Sequence, residues 1–240
     1  MDVNKNGYTF AFSAILVIVV GGVLAFAAET LKPMQKENVR IEKMQNILAS
    51  VNVDVEAEEA IENFDRYIVE QKMLNYQGKE MSSDKIEPFD VDVVKEYKTL
   101  DAEDRHYPLF VFESDGSQKY IVPLAGKGLW GPIWGYVAFE KDLNTVYGST
   151  FDHKTETPGL GAEIKEHWFQ ERFVGKTIFN QEGEFVSVEV VKGGRDVEGN
   201  PHAVDGISGG TITSKGVSEM MKRTLDVYVP YFKGDLKASL

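Results

Sequence analysis

Hydrophobic positions along the chain change their spacing several times, and each change predicts a different element. Thr9 to Ala28 (TFAFSAILVIVVGGVLAFAA) holds twenty residues without a charge. At about 1.5 Å of rise per residue such a run matches a hydrocarbon core of roughly 30 Å, which predicts a membrane anchor over residues 1–30. A cleaved signal peptide is the rival, because Ala25-Phe26-Ala27 resembles an A-x-A site. Against it, the run exceeds the usual apolar length, and only Lys5 stands against Asp2 before it. Further on, Met44, Ile47, Leu48 and Val51 recur at helical spacing, so an amphipathic helix is expected over about 33–50. Asp54 is placed to cap a second helix, with Ile61, Phe64 and Ile68 on one face. The polar stretch from about 76 to 90 reads as a loop. Residues 31–105 are therefore expected to form a helical linker subdomain.

From about residue 107 the pattern shifts to strands. YPLFVFE and QKYIVPL flank Asp115-Gly116, a hairpin built on a DG turn. WGYVAFEKD and NTVYGSTF continue the alternation. A helix is expected over about 161–173 with Ile164, Trp168 and Phe173 inward, then a strand over FVSVEVVK. Val217, Met220, Met221, Thr224 and Leu225 mark one face of a last helix. Strands and helices mix without strict alternation, so the fold class is α+β. It comprises a single N-terminal transmembrane helix, a helical segment, and a mixed, largely antiparallel domain over 106–240.

Charge and composition narrow the function. The net charge of -12 repels phosphate backbones, and no Lys/Arg cluster offers a nucleic acid a basic face. The chain has no cysteine, which excludes disulfides, cysteine-ligated iron–sulfur clusters and thiolate zinc sites. Its four histidines (His106, His153, His167, His202) lack the spacing of helical metal ligands, so no metal site is expected. Lys32, Lys36, Arg40 and Lys43 follow the apolar run, and counting positive charges alone would leave the large domain in the cytoplasm.

Two motifs mislead. Gly126-Lys-Gly128-Leu-Trp-Gly131 satisfies GxGxxG, but a strand-like PIWGYVAF follows where a dinucleotide site needs a helix; turn-making or close packing suits these glycines better. Gly206-Ile-Ser208-Gly-Gly210 satisfies GxSxG, yet no histidine follows Ser208 to act as its base. The stretch around it, DGISGGTITSKGV (205–217), still asks what so much small and hydroxylic sequence is for. A serine nucleophile, a phosphate cradle and a hydroxyl that accepts a covalent group are the three chemical answers.

Four stretches taken together suggest one family: GKGLWGPIWGYVAFEKD (126–142), TVYGSTFDHKTETPGLGAEI (145–164), VVKGG (190–194) and DGISGGTIT (205–213). They resemble the FMN-binding domain of the C subunit of the sodium-translocating NADH:quinone reductases, with the G subunit of the Rnf electron-transport complex as the near alternative. The resemblance covers nearly the whole chain and is densest from 120 to 220. It implies FMN held covalently by a phosphoester to threonine. In the family the acceptor motif resembles Asp-Gly-x-Ser/Thr-Gly-Ala-Ser/Thr; here it reads Asp205-Gly206-Ile207-Ser208-Gly209-Gly210-Thr211, with Gly210 in place of the alanine. Thr211 is then the acceptor and Thr213 the neighbour most easily confused with it. Ser214 is the expected N-cap of the following helix, whose dipole, aided by Lys215, would favour the phosphodiester charge.

The same resemblance puts Glu156, Thr157, Gly159 and Leu160 of the ETPGLG string at the flavin, with Thr157 and Leu160 on its ring. Lys192 is expected near ring or phosphate, and Trp130 and Trp134 are candidates for stacking or for core. Asp205 is expected to orient the turn or the modifying enzyme's metal. As partners the resemblance implies the other subunits of a membrane quinone reductase, a flavin transferase during maturation, and the bacterial inner membrane. It puts the flavin domain on the extracytoplasmic side, against the charge count. The function implied is electron transfer in a complex that couples NADH oxidation and quinone reduction to Na+ export. A cofactor-free extracytoplasmic binding protein remains the rival of another class.

Overall fold

In the computed structural model, residues 6–82 and 86–238 are described. Asp2 and Lys5 of the charge count lie outside them, as do residues 83–85 of the expected loop. The chain divides into two compact units, Met1–Lys43 and Met44–Leu240. The first is the greater part of helix α1 (Asn6–Ala49), which runs unbroken through Pro33. Its apolar run has exposed side chains and is long and apolar enough to cross a membrane.

The second unit opens with the last residues of α1, where Met44, Ile47 and Leu48 are buried. Helix α2 (Ala60–Tyr67) follows, with Glu59 rather than Asp54 at its N-cap and no side-chain cap bond. Its end passes directly into strand β1 (Ile68–Leu74), so Ile68 begins a strand instead of completing a helical face. Helix α3 (Val93–Thr99) is capped by Asp92, which accepts from Lys95 N at 2.9 Å. Strands β2 (Tyr107–Ser114), β3 (Ser117–Lys127), β4 (Pro132–Phe139) and β5 (Val146–His153) complete a five-stranded antiparallel meander in chain order. Asp115 and Gly116 both take positive φ, 50° and 74°, as the two-residue hairpin turn requires.

Register gives each face of the sheet its cover. Phe110, Ile121, Ala138 and Gly148 form one row across β2 to β5. Phe64 of α2 meets Phe110 edge-on at 6.3 Å, and Thr150 donates to Asn46 O at 3.1 Å, so α2 and the end of α1 close this face. On the opposite face Val111, Val122, Val137 and Phe139 join Val217, Met220, Met221 and Leu225 of helix α5 (Thr211–Ala238) in one core. Arg223 Nη2 donates to Ala125 O at 2.6 Å and Tyr228 OH to Pro108 O at 2.7 Å, pinning α5 across β2 and β3. Burial raises the Tyr228 phenol well above its ordinary pKa, so it stays a donor. Gly216 lets the two backbones close: a Cβ there would lie 2.4 Å from Lys127 O.

Two expected elements are rearranged. The helix over 161–173 is a 3-10 turn (Gly161–Lys165), a one-turn helix α4 (His167–Gln170) and a second 3-10 turn (Glu171–Phe173). With about three residues per turn in the 3-10 pieces, the inward face shifts. Phe169 is buried, while Trp168 is 42% exposed under the Arg172 guanidinium, 4.7 Å from its ring. The strand over FVSVEVVK shrinks to β6 (Glu189–Val191), because Ser187 takes a φ of +63° that ends extended backbone. β6 pairs in parallel with β7 (Ala203–Asp205), which leads into the glycine-rich stretch.

Candidate functional site

Three loops converge around one buried carboxylate. The β3–β4 turn closes with Gly128 N donating to Gly131 O at 2.8 Å. The loop after β5 makes a turn in which Leu160 N donates to Thr157 O at 3.1 Å; Gly159, with φ +74°, sits where a type II turn demands glycine. The glycine-rich stretch ends at Gly210, whose carbonyl accepts from Ser214 N at 2.9 Å and so opens α5 at Thr211.

Glu156, only 4% exposed, ties these loops together. Its Oε1 accepts from Trp130 N at 2.8 Å and Gly131 N at 3.3 Å, and its Oε2 from the Thr213 hydroxyl at 2.5 Å. Burial disfavours its charge, but the Thr213 hydroxyl and the amides of Trp130, Gly131 and Leu129 outweigh burial, and its pKa lies below the ordinary carboxylate value. The carboxylate fits because its neighbours are glycines: a Cβ on Gly128 would lie 2.6 Å from Oε1, and one on Gly161 2.5 Å from Oε2. The GxGxxG glycines thus serve close packing around Glu156 and under α5, where Gly126 faces Met220.

Two clefts adjoin this centre and share Thr211. One, about 380 Å³, is walled by Leu129, Trp130, Thr157, Leu160 and Ile212, with Glu156 and Thr213 behind them. Trp130 is 68% exposed at its rim. The other, about 330 Å³, carries Lys192, Arg195 and Lys215. Thr211 itself is half-buried between them, at the first residue of α5. The amides of Thr211, Ile212 and Thr213 precede the first intrahelical bond, so the positive end of the helix dipole lies at the junction.

The structure separates the site residues expected from sequence. Glu156, Thr157, Leu160, Gly209, Gly210, Thr211 and Thr213 border the apolar cleft. Thr213 is 2% exposed and its hydroxyl is committed to Glu156. Lys192 lies in the basic cleft, away from the apolar one. Gly159 shapes its turn and gives its N–H to Glu163 Oε1 at 3.0 Å. Asp205 pins the turn: its Oδ1 accepts from Gly194 N at 2.8 Å, and Arg172 Nη1 donates to its carbonyl at 2.7 Å. Gly206 is buried beside β6, and Ser208 is exposed and borders neither cleft.

Ser214 does not cap α5. It lies inside the helix, and its Oγ accepts from Ile207 N at 3.1 Å. Trp134 sits on β4 opposite Asp152, away from both clefts, whereas Trp130 lines one. Gly210, the departure from the acceptor pattern, has a local cause: a Cβ there would lie 2.9 Å from Ile207 Cγ2 and 3.3 Å from Leu160 C. Arg195 and Ile212 were not expected at the site; the basic residue after VVKGG was the available signal for the first.

Fold and site together define a flavin-binding domain, and the FMN-binding domain family model matches residues 128–226. Curated relatives extend the match to most of the chain. The C subunit of the Na(+)-translocating NADH-quinone reductase is 33% identical in Pseudomonas aeruginosa, over 87% of this chain and 87% of that one. In Vibrio alginolyticus it is 32% identical, over 84% and 83%. The chain therefore belongs to the family formed by the C subunits of the Na(+)-translocating NADH-quinone reductases. Solved structures agree. The family member from Parabacteroides distasonis superimposes with a TM-score of 0.75 at 47% identity, covering 84% of this chain and 96% of that one. NqrC of Shewanella oneidensis gives 0.67 at 29%, covering 81% and 98%.

Proposed function

We propose that this chain is the covalently flavinylated electron-transfer subunit of a Na+-translocating NADH:quinone reductase, with FMN joined to Thr211 by a phosphoester. The observation that carries the assignment is the position of Thr211 at the junction of the two clefts, while the hydroxyls of Thr213 and Ser214 are committed inside the fold. The donor set suits the cofactor. The apolar cleft offers Leu160, Trp130 and Thr157 to a flat ring. Lys192, Arg195, Lys215 and the start of α5 suit a phosphate at Thr211. Bound there, FMN supplies reversible electron uptake; the protein supplies position, desolvation and charge.

The remaining reading follows family membership. Residues 1–30 anchor the chain in the bacterial inner membrane, residues 31–105 link, and residues 106–240 carry the flavin on the extracytoplasmic side. Other subunits of the complex supply and remove electrons and couple their passage to Na+ export. A flavin transferase attaches the cofactor during maturation. Intact mass of the chain produced with that transferase tests the central claim. An adduct of FMN less water is expected on the parent and on Thr213→Ala, and none on Thr211→Ala. An adduct that survives Thr211→Ala and vanishes in Thr213→Ala or Ser208→Ala would reassign the acceptor. A parent chain without adduct would leave the cofactor-free binding protein.

A further inference from the structure

The charge bordering the ring cleft is negative. Lys192, expected near ring or phosphate, lies in the other cleft with Arg195 and Lys215. The apolar cleft has Glu156 in its wall, between the amide of Trp130 and the hydroxyl of Thr213. Among the described residues no ammonium or guanidinium group pairs with this carboxylate; its partners are neutral donors. Dipoles hold the charge without cancelling it, and a carboxylate only 4% exposed is screened less than one in open water. The carboxyl's depressed pKa keeps it ionised at neutral pH.

Resting on the flavin reading above, we propose that Glu156 sets the electron affinity of the bound cofactor: its unpaired carboxylate opposes the negative charge gained on reduction and makes the flavin a stronger reductant. Glu156 is a positioning residue as well, since the same oxygens clamp the β3–β4 turn to α5. The two roles separate by charge and by shape. Glutamine keeps the shape, still accepts from Trp130 N, and can donate to the Thr213 hydroxyl, but removes the charge. Thr213→Val keeps the charge and strips it of its shortest hydrogen bond.

The test is a spectroelectrochemical titration of the full-length, flavin-loaded chain in detergent at mildly alkaline pH. Glu156→Gln is expected to raise the flavin potential by at least a tenfold change in the reduction equilibrium, about 30 mV for a two-electron couple. Thr213→Val is expected to shift it downward, because its carboxylate is less shielded. Loosening of the cleft alone would move both variants in the same direction, and that result, or an unchanged potential in Glu156→Gln, overturns the proposal. If one variant fails to fold or load, the sign of the other's shift decides. A flavin-loaded parent with an unshifted Glu156→Gln overturns the role of Glu156 alone; a parent with no flavin by intact mass overturns the functional reading with it.

Discussion

Glu156 shows how far side-chain patterns reach and where they stop. The ETPGLG string marks the residue, but most of its partners are backbone amides of Leu129, Trp130 and Gly131, and amides leave no trace in a sequence. In DGISGGTIT only the motif resemblance separates Thr211 from Thr213; the physical difference comes when α5 starts at Thr211 and turns the second hydroxyl inward. The neighbouring glycines give a graded expectation. Gly128→Ala would press a methyl onto the hydrogen-bonded Glu156 Oε1 and is expected to cost about 2–3 kcal/mol in urea unfolding. Gly131→Ala meets only Thr155 Oγ1, on an exposed side chain free to turn, and is expected to change stability by less than about 0.5 kcal/mol. Acid probes the same carboxylate. Its folded pKa is depressed, so its stabilisation is complete above the ordinary carboxylate range and disappears as pH falls through the depressed value. Urea midpoints measured down a pH series should therefore fall less steeply for Glu156→Gln than for the parent.

The meander from β2 to β5 and the last helix were legible, because alternation, the DG turn and the spacing of Val217, Met220, Met221 and Leu225 agree with their burial. β1 was not: it follows α2 without a break, and its buried residues, Ile68, Met73 and Leu74, lack the alternation that marks a half-buried strand. The 161–173 segment failed because a period of 3.6 was assumed where 3-10 turns intervene. Contact between α5 and β3 supplies a case in which local preference and packing disagree. Alanine at 216 would favour the helix by about 1 kcal/mol. Its Cβ would also sit 2.4 Å from Lys127 O, backbone that cannot swing aside. Packing should win, and Gly216→Ala is expected to lower unfolding free energy by about 1–2 kcal/mol by denaturant titration.

The family membership of the chain was visible in four short strings, whereas the boundary between its compact units was not. That boundary falls inside α1, where a continuous helix changes from exposed apolar residues to the buried Met44, Ile47 and Leu48. No turn or glycine announces it. A chain starting at Met44 is expected to stay soluble and to unfold cooperatively. One starting at Val51 loses three buried side chains worth about 1.5–3 kcal/mol each and should melt 10 °C or more lower, at about 2–4 °C per kcal/mol, by circular dichroism.

The order of the meander along the chain permits the same order in time. Each strand from β2 to β5 finds its partner in the strand just before it, so the sheet can zip up while synthesis proceeds. Its second face must wait for α5, whose Tyr228 reaches back 120 residues to Pro108. The segment that begins at Thr211 is therefore also the one that seals the core, and until it arrives an apolar face stays open to solvent or to chaperones. A chain stopped at Gly210 should bind anilinonaphthalene sulfonate and melt without a cooperative transition.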